Sequence, residues 1–145
     1  ITTAEEEECP VFWIDMAMLY EHYVLGLLRE AYGSLIHYQE RGHTGYPDFV
    51  CYSPQVVLDT KYIPRFYQGS IDTYIVRQLS GYSRDKWIFP TQPDANIPCV
   101  IISPIEGDEE NPFKNKPLED FLQKEDRHLW NFHRIAVPLP MLNEN

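Results

Sequence analysis

The sequence predicts an α/β fold in which helices flank a sheet. Apolar residues recur at helical spacing in two stretches, and short apolar runs with strand character lie between and after those stretches. Along the chain, the predicted order is helix, strand, strand, helix, strand, helix, strand. This alternation is typical of a sheet covered by helices, and it argues against an all-helical or an all-strand domain.

The first predicted element is a helix that begins after Asp15 and ends at Gly33. An aspartate suits the N-cap position, and a glycine commonly ends a helix. The apolar residues between them share one side of the helix: Met16, Leu19, Tyr20, Tyr23, Val24, Leu27, Leu28 and Ala31.

Two strands and a second helix follow. The strands are predicted near residues 47–52 and 56–62, and the helix begins at an Asp72 cap and runs to about Lys86. One side of this helix carries Ile71, Ile75, Gln78, Leu79 and Tyr82.

The last third of the sequence predicts two more strands. They are "PCVIIS" at residues 98–103 and "FHRIAV" at residues 132–137. A Pro- and Glu-rich segment and a short helix around Leu118 to Lys124 separate them.

Length and composition indicate one globular domain, residues 1–145, because 43% of its residues are hydrophobic. No apolar run approaches the ~20 residues that span a bilayer, and the acidic Glu5 to Glu8 is unlike a signal peptide. We therefore expect a cytoplasmic chain without a membrane segment. Because the sequence begins with Ile1 rather than Met, we also expect a fragment of a longer protein.

The cysteines favour neither a disulfide framework nor a zinc site. Cys9, Cys51 and Cys99 are odd in number, widely spaced and without a Cys-x-x-Cys pair. Free cysteine is among the most often buried residue types, so we predict three small buried hydrophobic residues.

The net charge of −10 argues against a domain that holds nucleic acid by itself, because phosphate binding needs Lys and Arg. The acidic residues concentrate in Glu5 to Glu8 and in residues 106–126, which we interpret as solvated loops and helix surface. Residues 60–87 instead predict a locally basic face. Their basic residues are Lys61, Arg65, Arg77, Arg84 and Lys86, against Asp72 and Asp85.

The stretch "YPDFVCYSPQVVLDTKY" places charged residues among strand residues. A hairpin that turns between Ser53 and Pro54 pairs residues whose numbers sum to 107, so Asp48 would face Asp59, with Lys61 on the same face. Like charges opposite each other destabilise a sheet, and a divalent cation such as Mg²⁺ would compensate. The lysine would orient or deprotonate an attacking water, or neutralise charge on a phosphate.

A purely structural interpretation also fits these residues. Asp48 would follow Pro47 in a turn, and Asp59 and Lys61 would form an ion pair at a strand end. Gln78 and Tyr82 share one side of a helix at a spacing of four residues, which is common at the edge of a buried face. Glu21, beside the apolar stripe of the first helix, would simply be solvated.

Together, "PDF", "LDTK" and "RQLSGY" resemble the PD-(D/E)XK nuclease superfamily, in the branch whose later helix carries Gln-x-x-x-Tyr. Within it, the sequence is similar to the nuclease domain of McrC, the cleaving subunit of the McrBC modification-dependent restriction systems of phage defence. "FWIDMAMLYEHYVLGLL", "VVLDTKY" and "DTYIVRQLSGYSRD" carry this resemblance, which covers roughly residues 12–103. It implies a restriction-endonuclease-like mixed sheet flanked by helices.

The resemblance also implies the chemistry of the site. Asp48, Asp59 and Thr60 would hold Mg²⁺, for which Mn²⁺ would substitute. Lys61 would serve the attacking water, and Glu21 would lie near the metal. The implied activity is Mg²⁺-dependent hydrolysis of phosphodiester bonds in DNA.

Two further residues and a partner follow from the same resemblance. Gln78 and Tyr82 would support the site or contact the DNA backbone. Members of the family act with an AAA+ GTPase, McrB, which recognises modified DNA and translocates, and their partner-binding segment precedes the nuclease domain. We therefore expect this chain to be the C-terminal part of a longer one, and a partner that delivers DNA would explain its acidity.

Two alternatives remain at this point. A Cas4- or RecB-like nuclease that acts on DNA ends uses a related set of residues, although the lack of four cluster-ligating cysteines disfavours its iron–sulfur versions. A non-catalytic interaction module that retains the fold would explain the negative charge.

Overall fold

A computed structural model describes residues 15–63, 71–91 and 97–139. Short 3₁₀ turns, Gly33–Leu35 and Leu118–Leu122, follow the first helix and precede the last strand. The helices and strands are α1 (Met16–Tyr32), β1 (His37–Tyr38), β2 (Phe49–Tyr52), β3 (Gln55–Thr60), α2 (Thr73–Ser83), β4 (Cys99–Glu106) and β5 (Phe132–Leu139).

The strands of the described residues form one five-stranded mixed sheet in chain order. β1, β2 and β3 pair antiparallel, whereas β3, β4 and β5 pair parallel. Val50 lies opposite Val57 and Tyr52 opposite Gln55, so the predicted hairpin register is confirmed over the length of β2. The predicted α/β class is also confirmed, and the mixed sheet with its two helices is consistent with a restriction-endonuclease-like fold.

Both helices begin at the predicted capping aspartates. The Asp15 side chain accepts a hydrogen bond from the Met18 N–H at 3.1 Å, and Asp72 accepts one from the Tyr74 N–H at 2.7 Å. Each bond satisfies a backbone donor that has no partner within the helix. α1 ends at Gly33, whose φ of 59° is a left-handed conformation that favours glycine.

α2 ends at Ser83 rather than near Lys86, which corrects the predicted boundary. The N–H groups of Arg84 and Asp85 bond to carbonyls three residues back instead of four, and this tighter turn closes the helix.

The other predicted elements are present with shifted ends. The sequence did not predict β1, which is too short to show a period. β2 begins later than predicted, β3 ends earlier, β4 and β5 continue beyond their predicted ends, and the short helix is a 3₁₀ turn. The predicted strands 47–52 and 56–62 correspond to β2 (Phe49–Tyr52) and β3 (Gln55–Thr60). The predicted strands 98–103 and 132–137 correspond to β4 (Cys99–Glu106) and β5 (Phe132–Leu139). The predicted helix Leu118–Lys124 corresponds to the 3₁₀ turn Leu118–Leu122.

Two apolar clusters contain the buried residues of the two helices. The first joins α1 to one face of the sheet, through Val24 and Leu28 against Phe49 and Leu58. The second joins α2 to the other face, through Ile75 and Leu79 against Val50, Val57 and Ile101. Because successive strand side chains point to opposite faces, Asp59 shares the α2 face with Val57.

The buried side of α1 is narrower than the predicted apolar stripe. Tyr20, Val24 and Leu28 are buried, but Leu19 is 53% exposed and Met16 44% exposed. The stripe therefore predicts the helix correctly and overstates how much of it the sheet covers.

Among the described residues, the predictions of buried cysteines and of a solvated acidic segment are confirmed. Cys51 and Cys99 are free and buried, whereas Cys9 lies outside the described residues. Most of residues 106–126 are solvent-exposed or partly so. None of the described helices has the length and apolarity that crossing a bilayer requires.

Candidate functional site

Asp48 lies at the open end of the β2–β3 hairpin, directly before the first residue of β2. Its Oδ2 accepts hydrogen bonds from the Thr60 N–H at 2.8 Å and from the Thr60 hydroxyl at 2.7 Å. Phe49 pairs with Leu58, so the same register extended by one residue places Asp48 opposite Asp59. Backbone pairing and side-chain hydrogen bonds therefore hold this carboxylate beside the end of β3.

Asp59 and Lys61 form an ion pair at the end of β3. Asp59 is only 4% exposed, and its Oδ2 lies 2.5 Å from the Lys61 Nζ. The lysine side chain is 22% exposed, so its ammonium is within reach of solvent. The Lys61 N–H donates to the Ile102 carbonyl at 3.0 Å, which ties the residue to the neighbouring parallel strand.

Glu21 reaches this site from α1. The Tyr38 hydroxyl donates a hydrogen bond to its Oε2 at 2.7 Å, and Gln39 Nε2 lies 3.4 Å from the same oxygen. Burial, followed by the carboxylate of Asp48, raises the pKa of Glu21 to about 7. Below about pH 7, the Glu21 carboxyl therefore carries a proton and donates it in a hydrogen bond to Asp48.

Opposing effects act on the pKa of Asp48. Burial raises its pKa, and the negative charge of Asp59 raises it further, while the hydrogen bonds from Glu21 and Thr60 lower it. Three carboxyl groups thus meet where two strands and α1 converge: Glu21 is hydrogen-bonded to Asp48, and the negative charges of Asp48 and Asp59 repel each other.

Gln78 and Tyr82 lie on the side of α2 that faces the sheet. Gln78 Nε2 lies 3.3 Å from the Tyr82 hydroxyl, and the tyrosine is only 6% exposed. Burial raises the pKa of Tyr82. The negative charges of Asp59 and Asp48 raise this pKa further and the positive charge of Lys61 lowers it, so the hydroxyl lies close to the acidic cluster. Gln78 Oε1 is buried without a hydrogen-bond partner among the described residues.

The arrangement fits a hard divalent cation, although it is not a closed cage. Within residues 15–63, 71–91 and 97–139, no group of three or more His, Cys, Asp or Glu side chains is arranged to hold a metal ion. Mg²⁺ usually needs only one or two carboxylates and keeps several waters. Asp48 and Asp59 supply two carboxylates, and because the Thr60 hydroxyl is bonded to Asp48, Thr60 would contribute its backbone carbonyl.

Sequence reasoning missed Tyr38 and Gln39, which orient Glu21. Tyr38 belongs to a two-residue strand, which has no periodicity to detect, and Gln39 has a φ of 51° that no sequence pattern indicated. A tyrosine a few residues after a predicted helix was the available signal, and it is too common to be informative.

A cavity of about 160 Å³ lies away from this site, beside the β2–β3 turn. Tyr32, Cys51, Pro54 and Leu118 contribute to its lining, and it contains none of the predicted site residues. The predicted site residues therefore lie at the open end of the hairpin and outside the lining of this cavity.

Comparisons with known proteins identify a solved structure of similar fold. No protein-family model matches the sequence, and no curated protein matches it significantly. A chain in a solved structure is similar in fold, with a TM-score of 0.53 and 24% sequence identity. That structure is a refined half-complex from a tetradecameric assembly of Thermococcus gammatolerans McrB AAA+ hexamers with bound McrC. The similarity covers 90% of this chain but only 30% of the other, and at this identity it shows a shared fold.

Proposed function

We propose that this chain is a Mg²⁺-dependent DNA endonuclease domain of the McrC type, which hydrolyses phosphodiester bonds together with an AAA+ GTPase partner of the McrB type. The observation that carries the proposal is the meeting of Asp48, Asp59 and Lys61 at the open end of one hairpin, with Glu21 hydrogen-bonded to Asp48. The partner is supported by the fold similarity to a chain from an assembly of McrB hexamers with bound McrC.

The residues divide the chemistry between binding the cation and serving the nucleophile. Asp48, Asp59 and the Thr60 carbonyl would hold Mg²⁺. A bound Mg²⁺ would polarise the scissile phosphate and favour a nucleophilic water at neutral pH. Before a cation binds, Glu21 would keep Asp48 oriented by donating a hydrogen bond to it. As positive charge enters the site, Glu21 would lose that proton and release Asp48 to the cation.

Lys61 would act on the reacting water or phosphate. In the metal-free protein its ammonium neutralises Asp59. With a cation bound at Asp59, the ammonium would be held less tightly and would orient the water or stabilise charge that develops on the phosphate. The partial exposure of Lys61 allows that change without opening the core.

Gln78 and Tyr82 would complete the substrate side of the site. The unpaired Gln78 Oε1 would accept a hydrogen bond from a bound water, because a buried polar atom without a partner is costly. The Tyr82 hydroxyl would donate to a phosphate oxygen, since its raised pKa keeps it protonated.

Cleavage assays of the complex with its GTPase partner test this function. Asp59→Ala and Lys61→Ala should each abolish Mg²⁺-dependent cleavage, whereas Asp120→Ala and Lys114→Ala, which remove the same charges from exposed positions, should not. Mn²⁺ should bind to the parent chain and fail to bind to Asp59→Ala. Cleavage that survives in both site variants would refute the assignment.

A non-catalytic module is the second candidate, because no group of three metal-binding side chains is arranged among the described residues. Absence of Mn²⁺ binding at millimolar concentration would favour it. A covalently closed circular DNA substrate separates the remaining alternative: an endonuclease of the proposed type cuts the circle, while a Cas4- or RecB-like nuclease that needs an end does not.

A further inference from the structure

Trp87 lies on the surface in the turn that follows α2, and 62% of its area is exposed. Its ring centroid is 5.2 Å from that of His43, and the two ring planes meet at 73°. This edge-to-face contact leaves most of the indole accessible. Exposed aromatic rings on nucleic-acid-binding proteins stack on bases without requiring a particular sequence.

A buried carboxylate holds this ring pair in place. Asp85 is 6% exposed, and its Oδ2 accepts the His43 N–H at 2.6 Å while its Oδ1 accepts the Trp87 N–H at 2.9 Å. Gly42 packs so closely that a Cβ there would lie 2.5 Å from Asp85 Oδ2. The backbone at His43 and at Trp87 is therefore held in place by Asp85 before any ligand binds.

Three exposed cationic residues adjoin the ring pair along the chain: Arg41, Arg84 and Lys86. The nearby carboxylate of Asp85 is buried and bonded to two N–H groups, and Glu40 Oε1 lies 3.2 Å from His37 Nδ1. Because the whole chain has a net charge of −10, this concentration of positive charge is distinctive. It would attract a polyanion.

The same loop adjoins the candidate catalytic site. A Cβ at Gly45 would lie 3.0 Å from the Tyr82 hydroxyl oxygen. The negative charges of Asp48 and Asp59 in turn raise the pKa of Tyr82. A DNA strand bound at the hairpin end would therefore continue past this loop.

We propose that Arg41, His43, Arg84, Lys86 and Trp87 form a DNA-contact surface for the strand that flanks the scissile phosphate. The cationic side chains bind its phosphates, and Trp87 stacks on a base. This inference rests on the nuclease function proposed above, because it takes DNA as the substrate. The surface supplies affinity and position rather than base specificity, since stacking and phosphate contacts tolerate any sequence.

Fluorescence anisotropy of the whole chain with labelled DNA, at low salt and with EDTA to prevent cleavage, tests the surface. Trp87→Ala should weaken binding to a single-stranded oligonucleotide about tenfold. The effect on a fully paired duplex should be smaller, because its bases are already stacked. The double variant Arg84→Gln/Lys86→Gln should weaken both, and on single strands it should reduce the salt slope by about 0.7 for every phosphate that the variant no longer neutralises.

Matched controls remove the same groups elsewhere. Trp130→Ala deletes an indole that is 86% exposed, and Lys114→Gln/Lys116→Gln deletes two exposed positive charges. Neither control should change single-strand affinity by more than about twofold, and melting curves establish that every variant is folded.

The outcomes distinguish this surface from the nuclease function. The surface is refuted if the parent does not bind DNA at low salt, if Trp87→Ala binds like the parent, or if the controls lose as much affinity as the test variants. Each of these results can coexist with cleavage that depends on Asp59. Conversely, loss of binding in the test variants alone supports the surface even if Asp59→Ala leaves cleavage unchanged, in which case the nuclease assignment fails.

Discussion

Asp48 accepts two hydrogen bonds through a single oxygen, both from Thr60. The backbone N–H lies at 2.8 Å from Asp48 Oδ2 and the hydroxyl at 2.7 Å. Because Thr60 is the last residue of β3 and Asp48 precedes β2, this contact extends the hairpin beyond its ladder. The threonine hydroxyl therefore orients the carboxylate, and only its carbonyl remains for the proposed cation.

Replacing Thr60 separates these two roles. Thr60→Val removes the hydroxyl and keeps the carbonyl, so we expect a loss of about 2 kcal/mol in the free energy of unfolding, as for hydrogen bonds to charged groups. Mn²⁺ binding should weaken without disappearing. Thr60→Ser keeps the hydroxyl and is the control, and urea denaturation with calorimetry measures both effects. Equal losses in the two variants would show that the hydroxyl bond contributes nothing.

The ion pair predicts an asymmetry between its two partners in the metal-free protein. Asp59→Ala relieves repulsion with Asp48 and leaves Lys61 free to reach solvent, so the melting temperature should hold or rise. Lys61→Ala leaves the carboxylate of Asp59, only 4% exposed, without its counter-ion. We expect a loss of about 1–2 kcal/mol, less than for a fully buried pair because the lysine is partly exposed.

Thermal melts without metal measure this asymmetry, with Lys114→Ala as the control for loss of one exposed positive charge. A lower melting temperature for Asp59→Ala combined with retained cleavage would identify a structural ion pair, and the nuclease assignment of these residues would fail.

The hairpin register was predictable from the sequence because few arrangements satisfy its constraints. A turn at Ser53 and Pro54 and alternating apolar residues determine which residues pair, and a slip of one would move the apolar side chains to the wrong face. The helix caps at Asp15 and Asp72 were predictable for a similar reason, since their side chains act on backbone donors only two or three residues away.

Long-range contacts were not predictable in the same way. The Tyr38 hydroxyl that positions Glu21 and the Asp85 carboxylate that joins two loops act across 17 and 42 residues. No local periodicity encodes such distances. The sequence suggested that Glu21 is near the metal only through resemblance, and no pattern in it indicated that the glutamate would share a proton with Asp48.

The protonated state of Glu21 makes metal-free stability depend on pH. The pKa of Glu21 rises from 4.5 to about 7 in the folded chain, so folding favours the protonated form. Its stabilising contribution is present below about pH 4.5 and is lost as the pH rises through 7. Glu21→Gln imitates the protonated carboxyl, so its advantage over the parent should be absent near pH 4.5 and largest above pH 7.

Melting temperatures in EDTA at pH 5 and pH 8 test whether the advantage of Glu21→Gln over the parent grows with pH. Because Asp48 is hydrogen-bonded to Glu21 and also has a raised pKa, the comparison reports the titration of this pair of carboxyls. Glu119→Gln removes an exposed carboxylate and reports the general benefit of one less negative charge in an acidic chain. A Glu21→Gln advantage that is no larger at pH 8 than at pH 5 would contradict the shared proton.

The close packing around Gly42 predicts opposite results for two glycine substitutions. A Cβ at Gly42 would lie 2.5 Å from Asp85 Oδ2, 2.8 Å from Ile88 Cδ1 and 2.9 Å from the Gly45 carbonyl oxygen. Gly42→Ala should therefore cost about 1–3 kcal/mol in stability. It should also reduce DNA affinity, because the loop that carries His43 must shift.

Gly26 in α1 has no described atom within 4 Å of an added Cβ, so Gly26→Ala should gain about 0.5–1 kcal/mol from helix propensity. Urea denaturation compares the two variants, and a Gly42→Ala chain as stable as the parent would show that Asp85 does not hold the loop rigidly.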